Sequence, residues 1–173
     1  QSATHAAAAI EYQAASEGSA IHDVSHFGRL KASGADALDL LNRLSTNKVV
    51  DLQPGQGAPT ILTTDRGRIL DLVAVVNTGG YVLLITSAGA QQTVIDWLDK
   101  YTIMEDLAVE DLTASTRMLA VFGPGSRATV ETAARVSLDG LPLFHTVAAD
   151  VGGCRTRIIH HPLAELPCFY LVA

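Results

Sequence analysis

The spacing of apolar residues changes character several times along the chain, and each change marks an element. Thr4 to Ser16 is alanine-rich with good helix propensity, but Ile10 and Ala14 give it only a thin apolar face, so the spacing predicts a peripheral helix. Leu30 to Ser33 reads as a short strand ending at Gly34. From Asp36 the set Ala37, Leu38, Leu41 and Leu44 recurs at helical spacing, with acidic residues early, Arg43 and Lys48 late, and Asn47 as the stop. Pro54-Gly55-Gln56-Gly57 is a turn. Strands at Thr60–Thr64 and Arg68–Val76 flank Asp65-Arg66-Gly67 as a hairpin, and a third strand, Tyr81 to Thr86, follows the turn Asn77–Gly80.

Ser87 is a candidate cap for a second helix with Val94, Trp97, Leu98 and Tyr101 on one face. Val109–Leu112 and Met118–Phe122 read as strands. Gly123-Pro124-Gly125 opens a third helix with Pro124 near its first position. From Thr146 onward, short apolar runs broken by Gly152-Gly153 and Pro162 predict another hairpin, with Phe169–Ala173 pairing against Arg155–His160. Strands in adjacent groups separated by helices give an α+β class with largely antiparallel sheets and packed helices. Leu30–Gly34 with its helix echoes Leu119–Gly123 with its helix; both a common strand–helix junction and a true duplication account for that echo.

Composition narrows the function classes. The 173 residues carry 12 Lys+Arg against 18 Asp+Glu, a net charge of −6, and the basic residues are scattered. Nucleic acid is therefore excluded as the main partner, since phosphate neutralisation needs clustered Lys and Arg. No apolar run approaches the ~20 residues of a membrane-spanning helix, so no membrane partner is expected. Two cysteines, Cys154 and Cys168, without CxxC spacing point to a reduced, cytoplasmic setting. The first residue is not Met, and the last stretch, Cys168–Ala173, stops inside an apolar run, which reads as a fragment of a longer chain.

Most motif-like spacings carry little chemistry. His22 and His26 stand at i and i+4, but Asp23 occupies the place of the catalytic Glu of a zincin and no third ligand is evident, so no metal site is expected. His160-His161 would project to opposite sides of a strand and reads as a solvated hairpin end. Gly123-Pro-Gly125 lacks the ending of a phosphate loop, no G-x-S-x-G elbow occurs, and neither cysteine has an activating His nearby in sequence. Asp71 is different. It sits alone in Ile69-Leu70-Asp71-Leu72-Val73-Ala74-Val75-Val76, where an unpaired buried carboxylate is costly. It either faces off the open side of the sheet towards Arg68 or lines a pocket for a cationic ligand.

Three ordered stretches carry a resemblance. Asp23-Val-Ser-His-Phe-Gly28-Arg-Leu-Lys31, Gly34-Ala-Asp-Ala-Leu-Asp-Leu-Leu41 with Leu44-Ser-Thr-Asn47, and Thr60-Ile-Leu62 with Arg66-Gly67-Arg-Ile-Leu-Asp71 together resemble the N-terminal folate-binding part of the glycine cleavage T-protein (aminomethyltransferase) superfamily. Leu119-Ala-Val-Phe-Gly123-Pro124 resembles that family's strand leading into Gly-Pro. The resemblance covers Ile21 to the end, leaving residues 1–20 as an N-terminal extension and 21–173 as the T-protein-like region. It implies a folate-binding-domain fold, tetrahydrofolate as cofactor, aminomethyl transfer, and a carboxylate beside the folate, for which Asp71 is the catalytic candidate. Leu62, Asp71, Leu72 and Thr86 are the implied folate-binding positions. The family pattern has a second Asp where Leu72 stands, and a one-residue offset in a strand reaches the opposite face unless a bulge intervenes. The tail from Arg157 to Ala173 is closer to YgfZ-like relatives, which implies as the alternative a non-catalytic accessory role in iron–sulfur cluster assembly or repair. The implied partners are a reduced folate and a lipoyl-carrier or iron–sulfur protein.

Overall fold

The computed structural model describes residues 2–163 and 165–173, with side chains from residue 9 onward. Four helices and ten strands follow in the order α1 (Ser2–Glu17), β1 (Ala20–Asp23), β2 (Gly28–Ser33), α2 (Ala37–Arg43), β3 (Gly57–Thr63), β4 (Ile69–Asn77), β5 (Val82–Thr86), α3 (Gln91–Tyr101), β6 (Ala108–Asp111), β7 (Met118–Phe122), α4 (Ser126–Ala134), β8 (Thr146–Val151), β9 (Cys154–His160) and β10 (Cys168–Val172). The α+β class with antiparallel sheets stands. The chain divides into two compact units, residues 25–116 with 144–146, and residues 1–24 with 117–143 and 147–173.

The unit of residues 25–116 is a five-stranded sheet in the order β3-β4-β5-β2-β6. Alternation puts Leu30, Leu62, Val73 and Leu84 on one face, where Leu41 of α2 and Leu98 of α3 close a fully buried core. Burial of such side chains, worth roughly 1.5–3 kcal/mol each, is what holds a seven-residue helix like α2 that could not persist alone. The free edge of β3 is shielded. Pro59 lacks an N–H, and residues 44–47 lie along the strand, with Thr46 N donating to Ile61 O at 3.1 Å and Asn47 Nδ2 to Pro59 O at 2.8 Å.

The other unit carries the order β1-β7-β10-β9-β8, and it matches the first strand for strand. β7, α4, β8, β9 and β10 take the places of β2, α2, β3, β4 and β5, and β1 takes that of β6. The match extends to single hydrogen bonds. Asp36 N donates to Asp106 O and Gly125 N to Gly18 O, at 3.2 and 2.8 Å. Asn42 Oδ1 accepts from Val49 N at 3.0 Å, and Glu131 Oε1 accepts from Leu138 N at 2.6 Å. Asn77 Nδ2 donates to Leu52 O and His160 Nδ1 to Leu141 O, each at 2.7 Å. Of the two accounts of the echo, duplication is the one the structure supports. It also explains the paired glycines: Gly34 (φ +120°) and Gly123 (φ +108°) turn the chain from strand to helix, and a Cβ on either would stand 2.0 or 2.6 Å from the carbonyl oxygen of Asp106 or Gly18.

Three local expectations need correction. Ser87 does not cap α3; the helix starts at Gln91 behind Ala90, and Ser87 instead accepts the amide of Ala90. Pro124 precedes the first helical residue of α4, Ser126, with Gly125 as the cap position. The His160-His161 pair does project to opposite faces, but it is not a solvated end, since the rings stack on Phe169 and Tyr170 of β10 with centroids 5.1 and 4.0 Å apart. Burial lowers the pKa of His161 below its ordinary value, offset in part by a backbone hydrogen bond involving Pro162.

Candidate functional site

Asp71 lies in β4, and the local backbone decides where its side chain goes. Leu62 of β3 stands opposite Asp71, yet the next residue, Thr63, stands opposite Ile69, so Leu70 is an extra residue in β4. Without that bulge, Ile69 and Asp71 would share one face. The register from Asp71 onward is regular, so Asp71 shares the side of Val73 and Val75 by plain alternation and is only 6% exposed, whereas Ile69, on the far side of the extra residue, is exposed. The reading in which Asp71 faces off the open side towards Arg68 is therefore excluded. Its Oδ2 accepts the backbone N–H of Ser87 at 2.9 Å. A charge-assisted bond of this kind fixes the carboxylate and offsets part of the cost of burying it.

The remaining candidates fall into two groups. Leu62, fully buried, backs Asp71 across the β3–β4 ladder. Thr86, also buried, ends β5 one residue before the Ser87 amide and donates its hydroxyl to Ser87 O at 3.1 Å. These three belong together. Leu72 does not; it is 60% exposed on the opposite side of β4, facing Ile61 across the ladder. Gly28 is part of the same corner, because β2 pairs it with Thr86, and a Cβ there would sit 2.1 Å from Thr86 Oγ1 and 2.5 Å from Gln91 Cγ.

One residue of this unit gave no signal in the sequence. Arg29, between Gly28 and Leu30, has no exposed surface. Its Nε donates to Thr116 Oγ1 at 2.7 Å, Nη1 to Phe27 O at 2.6 Å, and Nη2 to Thr113 O at 2.6 Å. The guanidinium thus ties residues 25–27 and 113–116 to β2 from the face opposite Leu30. Strand alternation marks that face, but only the folded loops reveal that polar acceptors await it there.

Among the described residues no helix is long and apolar enough to cross a membrane, and no cluster of three His, Cys, Asp or Glu could hold a metal ion.

The profile of the GCVT N-terminal domain family matches residues 1–161. An aminomethyltransferase of Chloroherpeton thalassium is 28% identical over 151 residues, covering 86% of this chain and 41% of its own. A probable aminomethyltransferase of Halobacterium salinarum is 33% identical over 149 residues, covering 83% of this chain and 41% of its own. Among solved structures, the glycine cleavage system aminomethyltransferase T of Bartonella henselae superimposes with a TM-score of 0.81 at 20% identity, over 94% of this chain and 44% of that one. The chain belongs to the GCVT N-terminal domain family. It spans about two fifths of the length of these relatives.

Proposed function

We propose that this chain is the folate-side part of a tetrahydrofolate-dependent aminomethyltransferase. The observation that carries the reading is Asp71, a carboxylate on the buried face of β4 beside a bulge, fixed through one oxygen and nearly sealed from water. The residues present fit a reduced folate in one respect: with Oδ2 held by the Ser87 amide, the carboxylate of Asp71 presents a second oxygen that suits an amine gaining positive charge. Tetrahydrofolate, when bound, supplies the nitrogen that accepts the one-carbon unit. Asp71 would offer its carboxylate to that nitrogen, while the Ser87 amide keeps the carboxylate from turning away and Leu62 and Thr86 exclude water behind it. A preorganised charge in a dry site is typically worth ~3–4 kcal/mol to the transition state. Leu72 belongs to the outer side of the strand and would touch a folate only at the rim. The aminomethyl donor in this reading is a lipoyl-carrier protein, in a cytoplasmic setting.

The accessory reading in iron–sulfur assembly is favoured by Leu72 in place of a second aspartate and by the YgfZ-like tail from Arg157 to Ala173. Calorimetry and a transfer assay separate the two. A stable reduced folate should saturate the chain and ATP should give no heat. Asp71→Asn keeps shape and should change folate affinity less than about tenfold, or ~1.4 kcal/mol, while lowering aminomethyl transfer about a hundredfold or more. Saturation by ATP alone removes the folate reading. Folate binding with a transfer rate indifferent to Asp71→Asn selects the accessory one.

A further inference from the structure

A cavity of about 160 Å³ lies wholly within the unit of residues 25–116, between the end of α2, the turn joining β3 to β4, and one face of α3. Its walls include Arg43, Ser45, Thr64, Asp65, Trp97 and Tyr101, and none of Asp71, Leu62 and Thr86. Trp97 and Tyr101 stand one helical turn apart with their rings edge to face, centroids 4.7 Å apart. Two buried side-chain atoms of these wall residues, Ser45 Oγ and Trp97 Nε1, have no hydrogen-bond partner among the described residues. A buried donor left unmet is costly, and two around one cavity call for a reason.

The frame shared by the two halves does not supply it. Asn42 matches Glu131, so Ser45 falls at the place of Ala134, where the other half buries a methyl group. That corner is thus built once without a hydroxyl.

The wall also sets the chemistry of an occupant. Trp97 Nε1 only donates, so its partner is an acceptor, and the Ser45 hydroxyl can donate to the same oxygen. Arg43 is already held by Asp39 at 3.0 Å and by Glu105 at 2.8 Å. The nearby Lys100 ammonium is taken up by the Trp97 and Tyr101 rings, 4.8 and 5.1 Å from their centroids. An anion would therefore meet Asp65 with no unspent cation to balance it, and a neutral molecule fits better. In size, a cavity of about 150 Å³ takes a molecule like benzene.

We infer that this cavity binds a neutral, ring-sized carbonyl compound, its oxygen accepting from Trp97 Nε1 and Ser45 Oγ and its ring lying against Tyr101. Both donor atoms are sealed as the cavity stands. Rotation of the Ser45 side chain and a tilt of the indole bring them to the oxygen, movements of the ordinary kind on binding.

Trp97 is the one tryptophan of the chain, so its indole N–H gives a single NMR resonance that reports the bond directly. The probes are δ-valerolactam, a neutral cyclic amide, and cyclopentanecarboxylate, an anion of similar size. The lactam should move the indole resonance downfield and saturably, in the millimolar range or below, and the carboxylate should not. Ser45→Ala should weaken lactam binding about fivefold or more, the scale of one hydrogen bond. Without ligand the same variant should melt no lower than the native chain, because it loses an unmet hydroxyl and keeps the methyl group that Ala134 supplies. A variant that melts below the native chain overturns the inference, since the hydroxyl then has a partner in the fold. So does a variant that binds the lactam as tightly as the native chain, an indole resonance that the lactam leaves in place, or one that the carboxylate moves as far.

Discussion

The two halves of this protein share a backbone and differ in what their strands present. β4 and β9 occupy the same place in matched sheets, yet β4 carries Asp71 on its buried face beside a bulge, while the position matching it in β9 is Cys154, exposed beside a two-glycine turn. What both halves keep is the strand–glycine–helix turn and the hydrogen bonds that hook helix to loop, even where the side chain changes from Asn42 to Glu131 or from Asn77 to His160. Features kept by both are those any copy of the fold needs. The shared frame itself calls for no carboxylate at this position, since the other half is built with an exposed cysteine there.

The sharpest way to break the comparison is at Arg29, whose counterpart is Met118, buried in the same way; Leu112 N bonds Arg29 O as Val24 N bonds Met118 O, at 2.8 and 3.0 Å. If the halves were interchangeable, Arg29→Met would be mild. The carbonyls of Phe27 and Thr113 would instead lose their donor in a buried setting. The expected loss is about 3–5 kcal/mol in chemical denaturation. A loss under about 1 kcal/mol, the scale of an ordinary substitution, would mean that water replaces the guanidinium and that Arg29 is dispensable.

The helices give a smaller contrast. Leu98 of α3 is sealed in the core, and Leu98→Ala should cost about 3 kcal/mol, whereas Ile10→Ala in α1 should stay within about 0.5 kcal/mol. Comparable losses at the two positions would show that α1 packs as α3 does.

Much of this was legible in the sequence, for identifiable reasons. Met118–Phe122 and the β3–β4 and β8–β9 hairpins follow from apolar runs bounded by Gly and Asp turns, a local signal that tertiary context did not override. The Asp71 bulge was not legible. Period-two alternation assumes one residue opposite one, and nothing in Ile69-Leu70-Asp71 announces the extra residue. Leu72 was grouped with Asp71 by the family resemblance, whereas plain alternation sends the two to opposite faces, as the structure does. Arg29 was missed because a lone Arg beside Leu30 looks like solvated alternation; its acceptors come from residues 113–116, far along the chain. The duplication left only a glycine and a strand to see, since its other shared features are backbone bonds made by unlike side chains.

The smallest expected effect separates the loops that precede the two edge strands. Glu105, just ahead of β6, accepts from Arg43 Nη2 at 2.8 Å and from the amides of Ile103 and Met104 at 2.9 and 3.1 Å. The Arg43 guanidinium first, and the backbone amides after it, hold the Glu105 carboxyl at about 2, below its ordinary 4.5. Its counterpart ahead of β1, Glu17, accepts only from the side chain of Gln13 among the bonds described. A depressed carboxyl contributes stability that is complete above its unfolded value and lost as pH falls through its folded one. The Glu105 loop should therefore loosen as pH drops from about 4.5 towards 2, seen as faster amide exchange at Ile103 and Met104 with no matching change at residues 17–19. Glu105→Gln should make exchange in that loop fast and nearly flat across the same window. Unchanged protection at Ile103 and Met104 down to pH 2, in the native chain, would show that the loop is held by something other than this carboxylate.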